Sequence, residues 1–391
     1  MAAPRTATLA GFYFFHFGLL GLLMPYLPLY LQERGLSSGL IGLLMGCFMG
    51  TKLIGPPLIM RWIDRRGDLV GPLRACLVTA LLAWLMFMHV QGDRALAVAL
   101  ALFTCAWNGS LPAFESLTLQ RLGPQRISRY GRIRLWGSVG FIVAGLSGTL
   151  LLAAPERLLD GLPIIALGLV IGMLICGLLQ HERVSRAPSG GAARWRELLR
   201  RPGIPGFLLT LFLLHLSHGP YYAFFTLYLE GYRVGRAHIG ALWVLGVVAE
   251  IGLFWAAPAL FARCGLRPLW LAGLLLTALR WLLVATLAAH PAWLALAQVL
   301  HLASFGLCHA VGMSYVYALF PGPLQGRGQA LYSALGFGAG GLTGGVLAGL
   351  LWSAGWRGEV YLIATCAAAL ALIAAWRTMP SGGARAVAPA D

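Results

Sequence analysis

Twelve times along this chain of 391 residues a run almost free of charge recurs, each about the 20 residues that a helix needs to cross the ~30 Å core of a bilayer. The runs cover residues 8–31, 39–60, 71–90, 94–117, 134–154, 161–180, 204–230, 237–261, 267–289, 291–316, 328–352 and 358–378. Lipid offers no hydrogen bonds to the backbone, so repeated spans of this length must be helices. The expected fold is an all-α membrane protein with twelve transmembrane helices. Composition agrees: 59% of residues are hydrophobic, 11% are charged and the mean hydropathy is +0.77, where a soluble domain carries about a quarter charged residues. A water-soluble fold is excluded.

The net charge of +16 does not point to nucleic acid, because the basic residues fall in short loops between spans instead of on one face. Their distribution gives an orientation. With the N-terminus inside, 21 Arg lie on the cytoplasmic side and six on the other, while Lys52 and Arg280 lie within spans. Basic loops are retained on the inside, so both termini are expected in the cytoplasm. The ratio of 28 Arg to one Lys suggests a GC-rich genome and a bacterial inner membrane. Seven Cys stand singly without a CxxC pair, so neither a disulfide framework nor a metal site is indicated. The first run passes through Pro25 and Pro28 without a cleavage-like site and is expected to be a retained span.

The longest polar stretch, His181–Gly203, separates six spans from six, and its Arg194–Arg201 part has the composition of a short surface helix. The expected organisation is an N-terminal bundle over 1–180, a cytoplasmic linker over 181–203 and a C-terminal bundle over 204–391. An internal repeat supports it. Leu29-Tyr30-Leu31 and Ile41-Gly42 recur as Leu227-Tyr228-Leu229 and Ile239-Gly240, and Leu135-Trp136 and Gly140-Phe141 as Leu331-Tyr332 and Gly336-Phe337. Duplicated six-helix halves are a common transporter architecture.

An ionised side chain at the centre of a span costs ~2.5–3.5 kcal/mol on insertion scales and is a functional candidate by default. Lys52, Glu250 and Arg280 meet this description, and Glu115 lies toward the end of the fourth span. The repeat superposes Lys52 on Glu250, opposite charges at equivalent positions. The competing reading is a set of structural ion pairs. Span ten carries His301, Phe305 and His309 four apart, on one helical face. Span seven carries His215 and His218, then Gly219-Pro220, Tyr221 and Tyr222. Histidine titrates near neutral pH and relays protons, though a core hydrogen bond explains His215, His309 or His16 equally well. Tyr13, Phe14 and Trp107 are further candidates for a ligand wall. The Gly336, Gly340, Gly344 and Gly341, Gly345, Gly349 stripes read as close helix packing. No Walker loop or HExxH is present, so neither zinc-protease catalysis nor ATP-driven pumping is indicated, and no cofactor is expected.

The loop Arg61-Trp62-Ile63-Asp64-Arg65-Arg66-Gly67 resembles the Asp-Arg-x-Gly motif of the major facilitator superfamily, with Met60 where a leading Gly is usual. Tyr130-Gly131-Arg132-Ile133-Arg134-Leu135-Trp136-Gly137-Ser138, Leu245-Gly246-Val247-Val248-Ala249-Glu250, Arg280-Trp281, Leu300-His301, Cys308-His309 and Ala330-Leu331-Tyr332-Ser333 extend the resemblance over nearly the whole chain. Together they are similar to the phenylpropionate permease group, related to lactose permease. The resemblance implies alternating access and proton symport, with Asp64, Arg65 and Gly67 as a conformational motif. Pro112-Ala113-Phe114-Glu115 and Arg134 match the sugar-contacting carboxylate and its arginine, and Glu250, Arg280 and His301 match the coupling group. The carboxylate expected three residues after that histidine is Ser304 here, which leaves Glu250 as the proton carrier.

The sequence therefore points to a monomeric, proton-coupled permease for a small aromatic or other organic acid. Lys52, Glu115, Arg134, His218, Tyr221 and Tyr222 are expected at the substrate, and Glu250, Arg280, His301 and His309 in coupling. Uptake of a sugar or nucleoside, and drug efflux, are the alternatives.

Overall fold

The computed structural model describes residues 3–122, 126–151, 154–180, 200–321 and 324–379. Residues 181–199 of the expected linker, with most of the surface helix expected at Arg194–Arg201, lie outside the described residues. Eleven helices are long and apolar enough to cross a membrane unaided, from Thr6–Glu33 to Glu359–Thr378. The twelfth, at the position of the seventh run, is made of two pieces, Ile204–Ser217 and Gly219–Gly231. Hydropathy does not register the interruption because both pieces are apolar. Several helices also overrun their expected ends: the fourth covers Asp93–Leu122 and the fifth Arg126–Leu151. Hydropathy marks the part of a helix that lies in hydrocarbon, whereas backbone hydrogen bonding continues into the polar flanks.

The chain divides into two compact units, Met1–Ser189 with Gly235–Ala241, and Gly190–Val234 with Leu242–Asp391. In the first, the second span is not one helix. Ser38–Gly50 gives way to a 3-10 turn at Thr51–Leu53 before Gly55–Arg66 resumes. Pro56 and Pro57 have no N–H for the carbonyls of Lys52 and Leu53, so the α ladder cannot pass through this point. The fourth span braces the turn: Asn108 Nδ2 donates to Phe48 O at 3.0 Å and to Thr51 Oγ1 at 2.9 Å. Lys52, expected near the middle of a regular helix, thus sits in a tight turn. The second span ends where Gly67 adopts a left-handed conformation, φ 65°, and its N–H closes on Ile63 O at 2.8 Å. Asp68 then accepts from the N–H groups of Val70 and Gly71 at 3.1 and 3.0 Å, which caps the third span.

The second unit bends three of its helices. The seventh span breaks at His218, one residue before Gly219-Pro220. Span ten is π-wound over Leu302–Leu307 and span eleven over Tyr332–Gly340. The glycine stripe of span eleven faces span seven: a Cβ on Gly344 would lie 2.3 Å from Leu216 O, and one on Gly219 would lie 2.1 Å from the Gly344 carbonyl carbon. Only glycine permits backbones this close. Trp281 on span nine pins the break, its indole Nε1 donating to Ser217 Oγ at 3.1 Å.

Candidate functional site

In the second unit the polar residues converge on Arg280, which is fully buried on the ninth span, Leu266–Leu287. Its Nε donates to Ala297 O at 3.0 Å, and one terminal nitrogen donates to Ser304 Oγ at 2.9 Å and lies 3.0 Å from His301 Nδ1. The other reaches Gln298 Oε1 at 3.4 Å. Its flat faces are covered by the rings of Tyr221 and Trp281, each centred 4.3 Å from Cζ. A guanidinium can only donate, so Nδ1 of His301 is the acceptor and the neutral ring carries its hydrogen on Nε2. That nitrogen lies 3.9 Å from Glu250 Oε2. Gly306 makes the approach possible, since a Cβ there would sit 2.9 Å from Glu250 Cγ. Arg280, His301 and Glu250 form one chain, and Ser304 fills the place of the missing carboxylate as a ligand of the guanidinium.

The other residues expected here surround that chain. Tyr221 donates from its hydroxyl to Gln298 Oε1 at 3.2 Å. His218 stands edge-on to Trp281, ring centres 5.0 Å apart, and lies nearly parallel to Tyr222 at 6.0 Å. His301, Phe305 and His309 do share a face despite the π turn, stacking at 5.3 and 6.1 Å. His309 Nδ1 is 3.1 Å from the hydroxyl of Tyr332. His215 hydrogen-bonds Leu211 O at 2.9 Å and packs against Phe337.

The first unit gathers its charged residues differently. Glu115 accepts from the hydroxyl of Tyr130 at 3.3 Å. Arg134 lies over the ring of Phe17, with Cζ 3.8 Å from the centroid, and 5.6 Å from that of Tyr13. Tyr13 is itself fixed by a 3.3 Å bond to Thr118 Oγ1. His16 is 2% exposed and sandwiched between the rings of Phe12 and Trp107, centres 5.8 and 4.6 Å away. In the motif loop, Asp64 is half-buried, Arg65 is exposed and Gly67 supplies the left-handed turn.

Gln298 and Asn108 were not singled out from sequence, and Tyr332 entered there only within the repeat and the Ala330-Leu331-Tyr332-Ser333 motif, with no role of its own. Both amides stand alone within apolar runs, a polar signal of the same kind as a midspan charge but without its cost; the motif around Tyr332 carries no hint that its hydroxyl meets His309.

A protein-family model described as the MFS_1 like family matches residues 6–363. The probable 3-phenylpropionic acid transporter of Escherichia coli (strain K12) is 31% identical over 94% of this chain and 96% of its own length. A maltose permease of Geobacillus stearothermophilus is 30% identical over 92% and 91%. Among solved structures, a mutant form of the nucleoside transporter NupG superposes with a TM-score of 0.83 at 17% identity, over 96% of this chain and all of that one; at that identity the likeness establishes the fold. The charged centres described above are therefore set in a transporter and not an enzyme: the chain belongs to the MFS_1-like family of membrane transporters.

Proposed function

We propose that the protein is a proton-coupled symporter of a small organic solute, an aromatic or other organic acid, working by alternating access. The observation that carries this reading is the Arg280–His301–Glu250 chain. It places a carboxylate beside an imidazole whose other nitrogen is held by a permanent cation. A proton on Glu250 is thereby sensitive to any movement of Arg280 or His301, and such sensitivity is what links proton binding to substrate binding. Lys52 and Arg134 supply charge for a carboxylate. Glu115, His218, Tyr221 and Tyr222 supply hydrogen bonds and ring faces. His309 extends the set of imidazoles along span ten, and Asp64, Arg65 and Gly67 act in the conformational change.

Similarity to a probable 3-phenylpropionic acid transporter supports the aromatic acid. The maltose permease at nearly equal identity favours a sugar as the second reading, with Glu115 and Arg134 binding hydroxyls. The rest of the proposal follows the charge distribution: a monomer in a bacterial inner membrane, both termini cytoplasmic, with bundles over 1–180 and 204–391 joined by 181–203. Proteoliposomes carrying a pH-sensitive dye, challenged in turn with 3-phenylpropionate, maltose and uridine, test it. An aromatic acid that drives proton uptake supports the reading; proton uptake with maltose alone selects the second; no proton movement with any solute overturns symport.

A further inference from the structure

The internal repeat includes Ile239-Gly240, a pair to which the proposal above gives no role. It lies in the first turns of span eight, a helix that runs unbroken over Arg236–Arg263. From Leu242 onward this helix belongs to the second unit, but Gly235–Ala241 belongs to the first. Two separate contacts hold it there. Arg236 Nη2 donates to Glu33 Oε1 at 2.7 Å, which ties the start of span eight to the end of span one. One turn on, Ile239 is fully buried and Gly240 lies against a polar seat on spans one and five, where the Tyr26 hydroxyl is 2.8 Å from Thr149 Oγ1 and 3.1 Å from Gly145 O. A Cβ on Gly240 would collide with Thr149 Oγ1 and the Tyr26 hydroxyl, so only glycine fits the seat.

Both contacts are of a kind that can be made and broken. The ion pair is partly exposed, with Arg236 at 13% and Glu33 at 31% of their side-chain surface, and a pair in that setting contributes little to stability. Gly240 has no side chain to interlock with its neighbours, so the helix can leave the seat without repacking it. What leaves is joined to the coupling chain. No proline lies between Arg236 and Glu250, and the ten residues from Gly240 to Glu250 span about 15 Å of helix. Along that stretch Trp243 donates from Nε1 to Thr226 Oγ1 at 3.2 Å and packs on Tyr221, ring centres 4.3 Å apart. Tyr221 in turn covers Arg280. Gly246 leaves room for His301, since an added Cβ would lie 3.2 Å from that of His301. One rod is thus clamped by the first unit at its start and carries Glu250 further along.

We infer that Arg236–Ala241 is a releasable strap: the Glu33–Arg236 ion pair and the Gly240 seat hold it on the first unit in this conformation, and the transport cycle requires its release. On the proposed orientation the strap lies at the face of the membrane opposite the termini. The inference rests on the alternating-access reading and not on proton coupling.

Two measurements on the full-length protein test it. In proteoliposomes, Glu33→Cys and Arg236→Cys in one chain are joined by a short thiosulfonate cross-linker, and the wild type with its seven native Cys is treated alike. Joining should slow both uptake and exchange of 3-phenylpropionate, maltose or uridine, whichever the wild type carries, at least about tenfold, and a reductant that cleaves the linker should restore them. A pair that does not join, or a joined protein that transports at the unjoined rate, overturns the strap. The second measurement reads the seat without any solute. Thr149, 7% exposed, is replaced in Thr149→Cys, and an impermeant maleimide is applied to intact cells. Adding Gly240→Val should raise its labelling at least about tenfold, while Thr104→Cys, at a fully buried position of the same unit, stays unlabelled with or without Gly240→Val. Unchanged labelling of Thr149→Cys, or labelling of both positions in step, overturns the seat. A wild type that carries none of the three solutes overturns the transport reading and the strap's role with it, whereas a strap that fails alone shows in the labelling and in a joined protein that still transports.

Discussion

Arg280 and Arg134 are both arginines inside a membrane protein, yet the two units treat them in opposite ways. Arg280 is wrapped by its own unit: Ala297, Gln298, His301 and Ser304 occupy its donors, and two rings cover its faces. Arg134 lies over the ring faces of Phe17 and Tyr13, with the Glu115 carboxylate near enough to feel its charge. Stacking on a ring neutralises part of a cation's desolvation cost without consuming its N–H groups. A fully ligated guanidinium can tune a neighbour but has little left to offer a solute; a stacked one keeps its fork for a carboxylate. On the proposed reading, coupling belongs to the second unit and anion recognition to the first.

That division can be broken most decisively at Glu250. Glu250→Gln keeps the shape and removes the titration, so uphill uptake should vanish while solute exchange persists; a purified, stable variant that still accumulates solute would remove Glu250 from the coupling step. Arg280→Leu comes next. It strands the acceptors on Gln298, Ser304, His301 and Ala297, and thermal unfolding should show a loss of about 3 kcal/mol or more, whereas Arg134→Gln should leave the unfolding temperature nearly unchanged. In ligand-binding assays the order reverses. Arg134→Gln should weaken a carboxylate solute by about tenfold to hundredfold, the size of a lost charge-assisted hydrogen bond, and equal affinity in wild type and variant would show that the stacked arginine does not meet the anion. The smallest effect belongs to Tyr130→Phe, which takes one hydrogen bond from Glu115 and should cost about 1 kcal/mol, read as a modest drop in affinity for whichever solute Glu115 contacts.

The number and class of the helices were legible because a bilayer imposes one length and one polarity on every span. The interruptions at Lys52 and His218 were half-legible: Pro56-Pro57 and Gly219-Pro220 are visible breakers, but proline within a span need not break it, as Pro25 and Pro28 in the first helix show. What decides the matter is how the neighbours pack and bond around the breaker, as Asn108 does when it bonds Phe48 O and Thr51 Oγ1 beside the turn. The π turns left no local signal, for they arise where spans seven, ten and eleven pack together. The same holds for the site. Glu250, Arg280 and His301 stood out as charge and imidazole in the wrong solvent, and the resemblance grouped them, whereas Gln298 and Tyr332 acquire meaning only from what lies beside them. Ser304 is the instructive case: in sequence it is a missing acid, and in the structure it is a ligand of Arg280.

The turn at Gly67-Asp68 has a consequence for how this protein is made. The second span carries Lys52 and two adjacent prolines and has a mean hydropathy of 1.5, whereas the third, Val70–His89, reaches 1.8. Gly67 closes one helix and Asp68 opens the next with no slack between them. With so short a connection, the two spans are suited to enter the bilayer together as a hairpin. Lengthening that turn would uncouple the entry of the lysine-bearing span from that of its more apolar neighbour.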